Sequence, residues 1–169
     1  MSMGAQASLG WTAPLVLLVI GALLTLLTNF GLRRWQYGVE RWNTRVDWFC
    51  ETLTETADIG IKYWIELPSK VQTLKTKKPE ILNKEIQILG LQVRLDGILA
   101  TIEDRFNLKD KRKIRNALAD FRDTLTGGNF QTSASKSDHI RARELQMKAS
   151  ELFILVREAS DRSSKLLWK

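Results

Sequence analysis

The sequence predicts an all-α protein in which a single transmembrane helix continues into a cytosolic helical bundle. Residues 13–32 form an apolar run without a charged side chain, and later apolar residues recur at the three- and four-residue steps of helices. The net charge of +7 lies wholly after the run, because the first charged residue is Arg33. This predicts an extracytoplasmic N-terminus over 1–12, a transmembrane helix over 13–32, a juxtamembrane helix over 33–67 and the bundle over 68–169.

The apolar run has the length needed to cross a bilayer, roughly 30 Å at 1.5 Å per residue. Pro14 is expected in the first turn of this helix, where its missing N–H costs little. A cleaved secretory signal is the alternative, but it would carry basic residues before the run and a small-residue cleavage site after it. The basic residues instead follow, beginning with Arg33 and Arg34. The positive-inside rule therefore predicts the cell inner membrane, with the N-terminus outside and the C-terminus cytosolic.

One face of the membrane helix carries small and polar residues, Gly21, Thr25, Thr28 and Asn29. Such a face usually packs against another helix, and a chain with one membrane helix finds that partner in another copy of itself. The alternative is that the threonine hydroxyls bond to carbonyls of their own helix. Asn29 favours association, because a carboxamide that faces lipid is costly. We therefore predict these four residues as oligomer or pore contacts.

The juxtamembrane segment carries a heptad-like seam, formed by Trp35, Val39, Trp42, Val46, Phe49 and Leu53. No proline lies between Pro14 and Pro68, so the membrane helix is expected to continue to about Leu67. An interfacial helix with tryptophans in the headgroup region is the alternative. Trp48 lies off the seam, which favours a helix that packs on the bundle.

Three further helices are predicted after a surface loop over 68–79. The first runs from about Glu80 to Phe106 and carries more than one apolar stripe, as expected for a central helix contacted on several sides. A break near Asn107 precedes a shorter helix whose buried face comprises Ile114, Leu118, Phe121 and Leu125. A flexible loop is predicted over 127–137, and Ser137 or Asp138 then caps the last helix. That helix buries Leu145, Ala149, Leu152, Val156 and Ala159.

Most catalytic and metal sites are excluded by composition. The single histidine, His139, and the single cysteine, Cys50, fall on different segments, which argues against a zinc site or a Cys–His nucleophile pair. No phosphate-binding glycine-rich loop is present. Glu103 and Asp104 are interpreted as a solvated helix face. We therefore predict neither an enzyme nor a cofactor or metal site.

A basic cluster at the start of the shorter helix is the main candidate site, and it consists of Lys109, Lys111, Arg112, Lys113 and Arg115. Positive charges at a helix N-terminus oppose the helix dipole, which indicates an anionic partner; a solvated surface is the alternative. Charge alone does not separate lipid headgroups from nucleotides or nucleic acid. The basic residues of the last helix, Arg141, Arg143 and Lys148, are candidates for the same surface.

The organisation of the chain, a short outer N-terminus, one membrane helix and a small basic bundle, resembles the transmembrane effector subunits of bacterial anti-phage defence, of the Hailong type. The resemblance implies a homo-oligomeric channel or membrane-disrupting effector, gated by a nucleotide or single-stranded oligonucleotide on the cytosolic domain. The alternative is a membrane-anchored scaffold that recruits a protein partner.

Overall fold

The computed structural model describes residues 9–67, 78–132 and 136–166, and within these ranges the chain is helical without strands. Helix α1 spans Leu9–Glu66, α2 spans Pro79–Ile102, a 3-10 turn spans Glu103–Arg105, α3 spans Leu108–Thr126 and α4 spans His139–Leu166. The predicted all-α class is thus confirmed, as is a first helix that continues without a break almost to Leu67. The predicted loop over 68–79 lies almost wholly outside the described residues.

The chain divides into two compact units, Met1–Arg41 and Trp42–Lys169. The first unit contains the apolar part of α1, whose large side chains from Val16 to Leu32 are exposed. Helix α1 begins at Leu9, so Pro14 lies inside the helix. The expectation that Pro14 lies in the first turn is therefore wrong. The apolar run is therefore helical from before its first residue.

The second unit has one core, to which α1 contributes its residues from Trp42 onward. The seam residues Trp42, Val46, Phe49 and Leu53 are buried there, and Trp48 is exposed. The predicted buried faces of α3 and α4 are likewise confirmed. Two indoles fix α1 to other elements, because Trp42 Nε1 donates to Ile102 O at 3.4 Å and Trp64 Nε1 donates to Leu125 O at 3.0 Å.

Gly60 allows the close approach of α1 to α3 and α4. A Cβ at this position would overlap Leu125 Cδ1 and would lie 2.7 Å from Leu145 Cδ2. Both leucines are fully buried, so both side chains would have to shift within the core to admit a Cβ. The glycine that weakens the helix locally therefore permits a close contact in the core.

Helix α2 is packed along one side only. Its buried apolar residues are Ile81, Ile88, Leu95, Leu99 and Ile102. A second stripe is exposed to solvent, and it comprises Leu82, Ile86, Leu89 and Val93. The expectation of a central helix contacted on several sides is wrong, because no other described helix covers this stripe.

The segment between α3 and α4 is held by an aromatic side chain. Phe130 is buried, with its ring 5.2 Å from that of Tyr63 and 6.4 Å from that of Trp64. The flexible-loop interpretation of 127–137 is therefore wrong around Phe130. Asp138 caps α4 by accepting from Arg141 N at 2.9 Å, as one of the two predicted caps, and its own N–H donates to Trp64 O at 2.9 Å.

Candidate functional site at the start of helix α3

The first turn of α3 is closed by a reciprocal cap. Asn107 Oδ1 accepts from Asp110 N at 2.8 Å, and Asn107 Nδ2 donates to Asp110 Oδ2 at 2.7 Å. This cap satisfies one of the unpaired N–H groups of the turn and fixes where the helix begins. Asp110 also supplies the negative charge that the helix dipole favours at this end. The cap therefore sets the position of the basic side chains that surround it.

Asp110 also ties the start of α3 to α4. Its carboxylate accepts from Arg162 Nε at 3.1 Å and from Arg162 Nη2 at 3.0 Å, in a two-pronged pair. The Asp110 side chain is buried, whereas Arg162 is partly exposed and also contacts Glu158. Two-pronged guanidinium–carboxylate pairs constrain geometry as well as charge. One acidic residue thus organises the helix start and its neighbour, which the sequence pattern did not indicate.

Two of the predicted binding residues are held by Glu103. Arg115 donates to both Glu103 oxygens, from Nε at 2.8 Å and from Nη2 at 2.6 Å. Lys111 Nζ lies 3.4 Å from Glu103 and 3.7 Å from Asp104. Glu103 is buried at 9% exposure, so the interpretation of it as a solvated face is wrong, although Asp104 is exposed. The hydrogen bonds from Arg115 lower the pKa of Glu103 below its ordinary value of 4.5.

The other three cluster residues, Lys109, Arg112 and Lys113, form an exposed basic triad. Spacings of three and four place them on one face of α3. None of them forms an ion pair with any other residue that the structure describes. The structure thus separates the predicted cluster into two cations engaged by Glu103 and three that face solvent.

The basic residues of α4 do not extend the triad. Arg141 donates to Gly127 O at 2.7 Å, and its guanidinium lies 4.5 Å from the Trp64 ring centre. Gly127 follows the last turn of α3, whereas Lys109 lies in the first, roughly 27 Å away at 1.5 Å per residue. Lys148 lies near Asp120 and Glu151. Arg143 is exposed on the same helix. The expectation that these residues join the cluster is wrong.

The polar face of the apolar part of α1 is bonded internally. Thr25 Oγ1 donates to Gly21 O at 2.8 Å, and Thr28 Oγ1 donates to Leu24 O at 2.9 Å. The threonine hydroxyls therefore behave as the alternative interpretation predicts. Asn29 is exposed and has no hydrogen-bond partner among the described side chains. A Cβ at Gly21 would meet nothing within 4 Å, so no described residue covers this face of α1 at Gly21.

The cavities of the second unit include two that lie between neighbouring helices. One, of about 290 Å³, separates α2 from α3 and is bordered by the pairs Arg115–Glu103 and Arg122–Asp96. The other, of about 220 Å³, lies between α1 and α4 and is lined by Leu53, Ala57, Phe153 and Ile154 among others. The acidic side chains that border the first cavity are paired with arginines, and the lining of the second includes Asp58.

The remaining reactive side chains, Cys50 and His139, lie on different helices. Cys50 is buried, and burial raises the pKa of its thiol above 9.0. His139 is exposed at the start of α4. No group of three or more acidic, histidine or cysteine side chains that is suited to a metal ion occurs within residues 9–67, 78–132 and 136–166.

Comparison with known proteins finds no matching family model, curated protein or solved structure. The structure itself contains one described helix long and apolar enough to cross a membrane. The most apolar 18-residue window of that helix has a mean hydropathy of 1.9, and none of it is buried. A helix in the core of a soluble bundle would be mostly covered, whereas no residue of this window is buried.

Proposed function

We propose that the chain is a homo-oligomeric membrane effector that forms an ion channel or pore. In this proposal an anionic nucleotide or oligonucleotide binds the basic cytosolic bundle and gates the channel or pore. The observation that carries the proposal is the exposed basic triad of Lys109, Arg112 and Lys113. The three positive charges repel one another, and they lie at the helix end whose dipole favours anions. A bound phosphate therefore reduces both the repulsion within the triad and its unfavourable interaction with the dipole.

The triad changes the roles expected of the cluster. Lys111 and Arg115 are already engaged by Glu103, so an incoming phosphate would have to compete with a carboxylate for them. The exposed Arg112 supplies a planar fork for a phosphate, and the two lysines beside it supply point charges. In the proposed site, Arg112 therefore makes the directional hydrogen bonds to the phosphate. Glu103 stabilises the surrounding structure through its ion pairs with Lys111 and Arg115.

The membrane part of the proposal concerns residues 13–32, which we place across the inner membrane with the C-terminal side in the cytosol. The exposed apolar surface of α1 and the restriction of charge to residues after Leu32 support this placement. A single helix cannot enclose a conducting path, so a pore requires several copies. The face of Gly21, Thr25, Thr28 and Asn29 offers the close contact, and cyclic symmetry would repeat the basic triad around the axis.

The test measures the mass of the detergent-solubilised chain and analyses it for bound nucleotide. We expect a multiple of the monomer mass, reduced when Gly21 and Thr25 are both replaced by leucine, because the added bulk separates the helices. Gly31→Leu is the matched control, since Gly31 lies on a different side of α1. A monomeric unmodified chain would contradict the pore.

The alternative function is a membrane-anchored scaffold, which the cavity between α1 and α4 favours. Its apolar lining, with Phe153 and Ile154, is suited to a side chain of a protein partner. A scaffold of this kind would bind no oligonucleotide, and charge-removing substitutions in the basic triad would leave it unaffected. Oligonucleotide binding therefore separates the two functions.

A further inference from the structure

The exposed stripe of α2 forms a continuous apolar surface, which we call the α2 seam: Leu82, Ile86, Leu89 and Val93. Their exposed fractions are 51%, 61%, 41% and 72%, although each is a large hydrophobic residue. Together they expose roughly 400 Å² of apolar surface, within the range of the largest patches on soluble monomers, which are often functional. No other described helix of the chain packs against this surface.

The α2 seam has the residue order of a two-stranded coiled coil. Its spacings of four, three and four assign Leu82 and Leu89 to heptad position d, and Ile86 and Val93 to position a. Leucine at d with β-branched residues at a favours parallel dimers over trimers or tetramers. The sequence of the seam therefore points to another helix of the same kind as its partner.

The flanks of the seam leave room for that helix. Gly90 and Gly97 follow the d positions, and a Cβ at either would meet nothing within 4 Å. Glycine weakens a helix relative to alanine, and no described neighbour requires it at these two positions. The next d position is Asp96, whose carboxylate is paired with Arg122. The pairing with Arg122 neutralises a carboxylate that would otherwise face the same carboxylate of a partner helix at the end of the α2 seam.

We propose that the α2 seam packs in parallel against the α2 seam of a second copy of this chain. The inference rests on the proposed self-association and specifies a contact surface outside the membrane helix. The exposed apolar area per copy is about half of the roughly 800 Å² that a standard stable interface buries. The contact is therefore weak on its own, and it forms when a shared membrane raises the effective concentration of the copies. This requirement favours a second anchored copy over a soluble partner.

The test is disulfide cross-linking of the full chain in native membranes. Leu82→Cys places a thiol on the seam, and mild oxidation should give a covalent dimer in several times the yield of the matched control Gln87→Cys. Gln87 is exposed on the same helix but lies off the seam. The parent chain should give no dimer, because Cys50 is buried. A yield from Leu82→Cys no greater than from Gln87→Cys would overturn the proposal.

A second substitution tests the seam itself and its direction. Adding Leu89→Glu to the Leu82→Cys chain should abolish the dimer, whereas adding Gln87→Glu should not. Cross-linking of a Leu89→Cys chain without cross-linking of the Leu82→Cys chain would indicate antiparallel helices and overturn the parallel arrangement. An oligomeric parent without cross-linking at Leu82 would refute the seam alone. A monomeric parent would refute the proposed self-association as well.

Discussion

The exposed basic triad makes a quantitative prediction for the salt dependence of oligonucleotide binding. Each phosphate contact with a single strand contributes about −0.7 to the slope of log affinity against log salt. Three contacts per copy, from Lys109, Arg112 and Lys113, give a slope of about −2, so affinity falls roughly 20-fold between about 50 and 200 mM salt. Arg112→Gln removes one contact, which reduces the slope to about −1.4 and the fall to roughly sevenfold.

Fluorescence anisotropy of a labelled single-stranded oligonucleotide, titrated with the detergent-solubilised chain over a salt series, measures this slope. Arg143→Gln is the matched control, because it removes one exposed positive charge from α4 and changes the net charge equally. The control should retain the parent slope. Equal slopes in the two variants would refute a role for the triad, as would the absence of binding at low salt.

Three further predictions concern packing, pH and topology. Gly60→Ala should destabilise the bundle by about 1 to 2 kcal/mol in urea titrations of tryptophan fluorescence, since overpacking outweighs the helix preference of alanine; Gly97→Ala, which meets no neighbour, should stabilise it, and equal effects would contradict the packing. Glu103→Gln should destabilise the fold at neutral pH. The folded-state pKa of Glu103 is lowered, so its ionised carboxylate contributes to the free energy of unfolding above the ordinary pKa of the group. This contribution is lost as pH falls through the folded-state pKa. The difference between parent and variant should therefore narrow below pH 4.5, and a difference independent of pH would contradict the ion pair. A reporter enzyme that works only in the cytosol should be active when it is fused to the C-terminus. Activity of a C-terminal reporter that works only in the periplasm would contradict the proposed orientation.

Helical periodicity was sufficient to predict the buried faces of α1, α3 and α4, because each of these helices buries one side. The three- and four-residue steps from Trp42 to Leu53 indicate which face of α1 turns inward, and Phe121 and Leu152 follow from the same reasoning in α3 and α4. These positions are buried in the structure. Such a prediction needs only the direction of an apolar face and not the identity of its neighbour.

Features that depend on contacts between distant residues could not be read from periodicity. The α2 stripe at Leu82 and Ile86 is as apolar as the buried one, but no other helix among the described residues covers it. Phe130 is a lone aromatic residue in a polar segment, and its burial depends on the rings of α1. Glu103 is buried because Arg115 of the next helix reaches it. The sequence predicted the basic cluster, whereas these ion pairs determine which of its members remain exposed.

Conductance through reconstituted bilayers tests the proposed function most directly. Chains in liposomes loaded with an ion-sensitive dye would be exposed to a short single-stranded oligonucleotide on the side that carries the bundle. We expect oligonucleotide-dependent ion flux in the parent and in Arg143→Gln, and none when Lys109, Arg112 and Lys113 are all replaced by glutamine. Flux that is equal with and without oligonucleotide, or unchanged in the triple variant, would contradict gating through the triad. No flux from an oligomer that binds the oligonucleotide would contradict the channel itself.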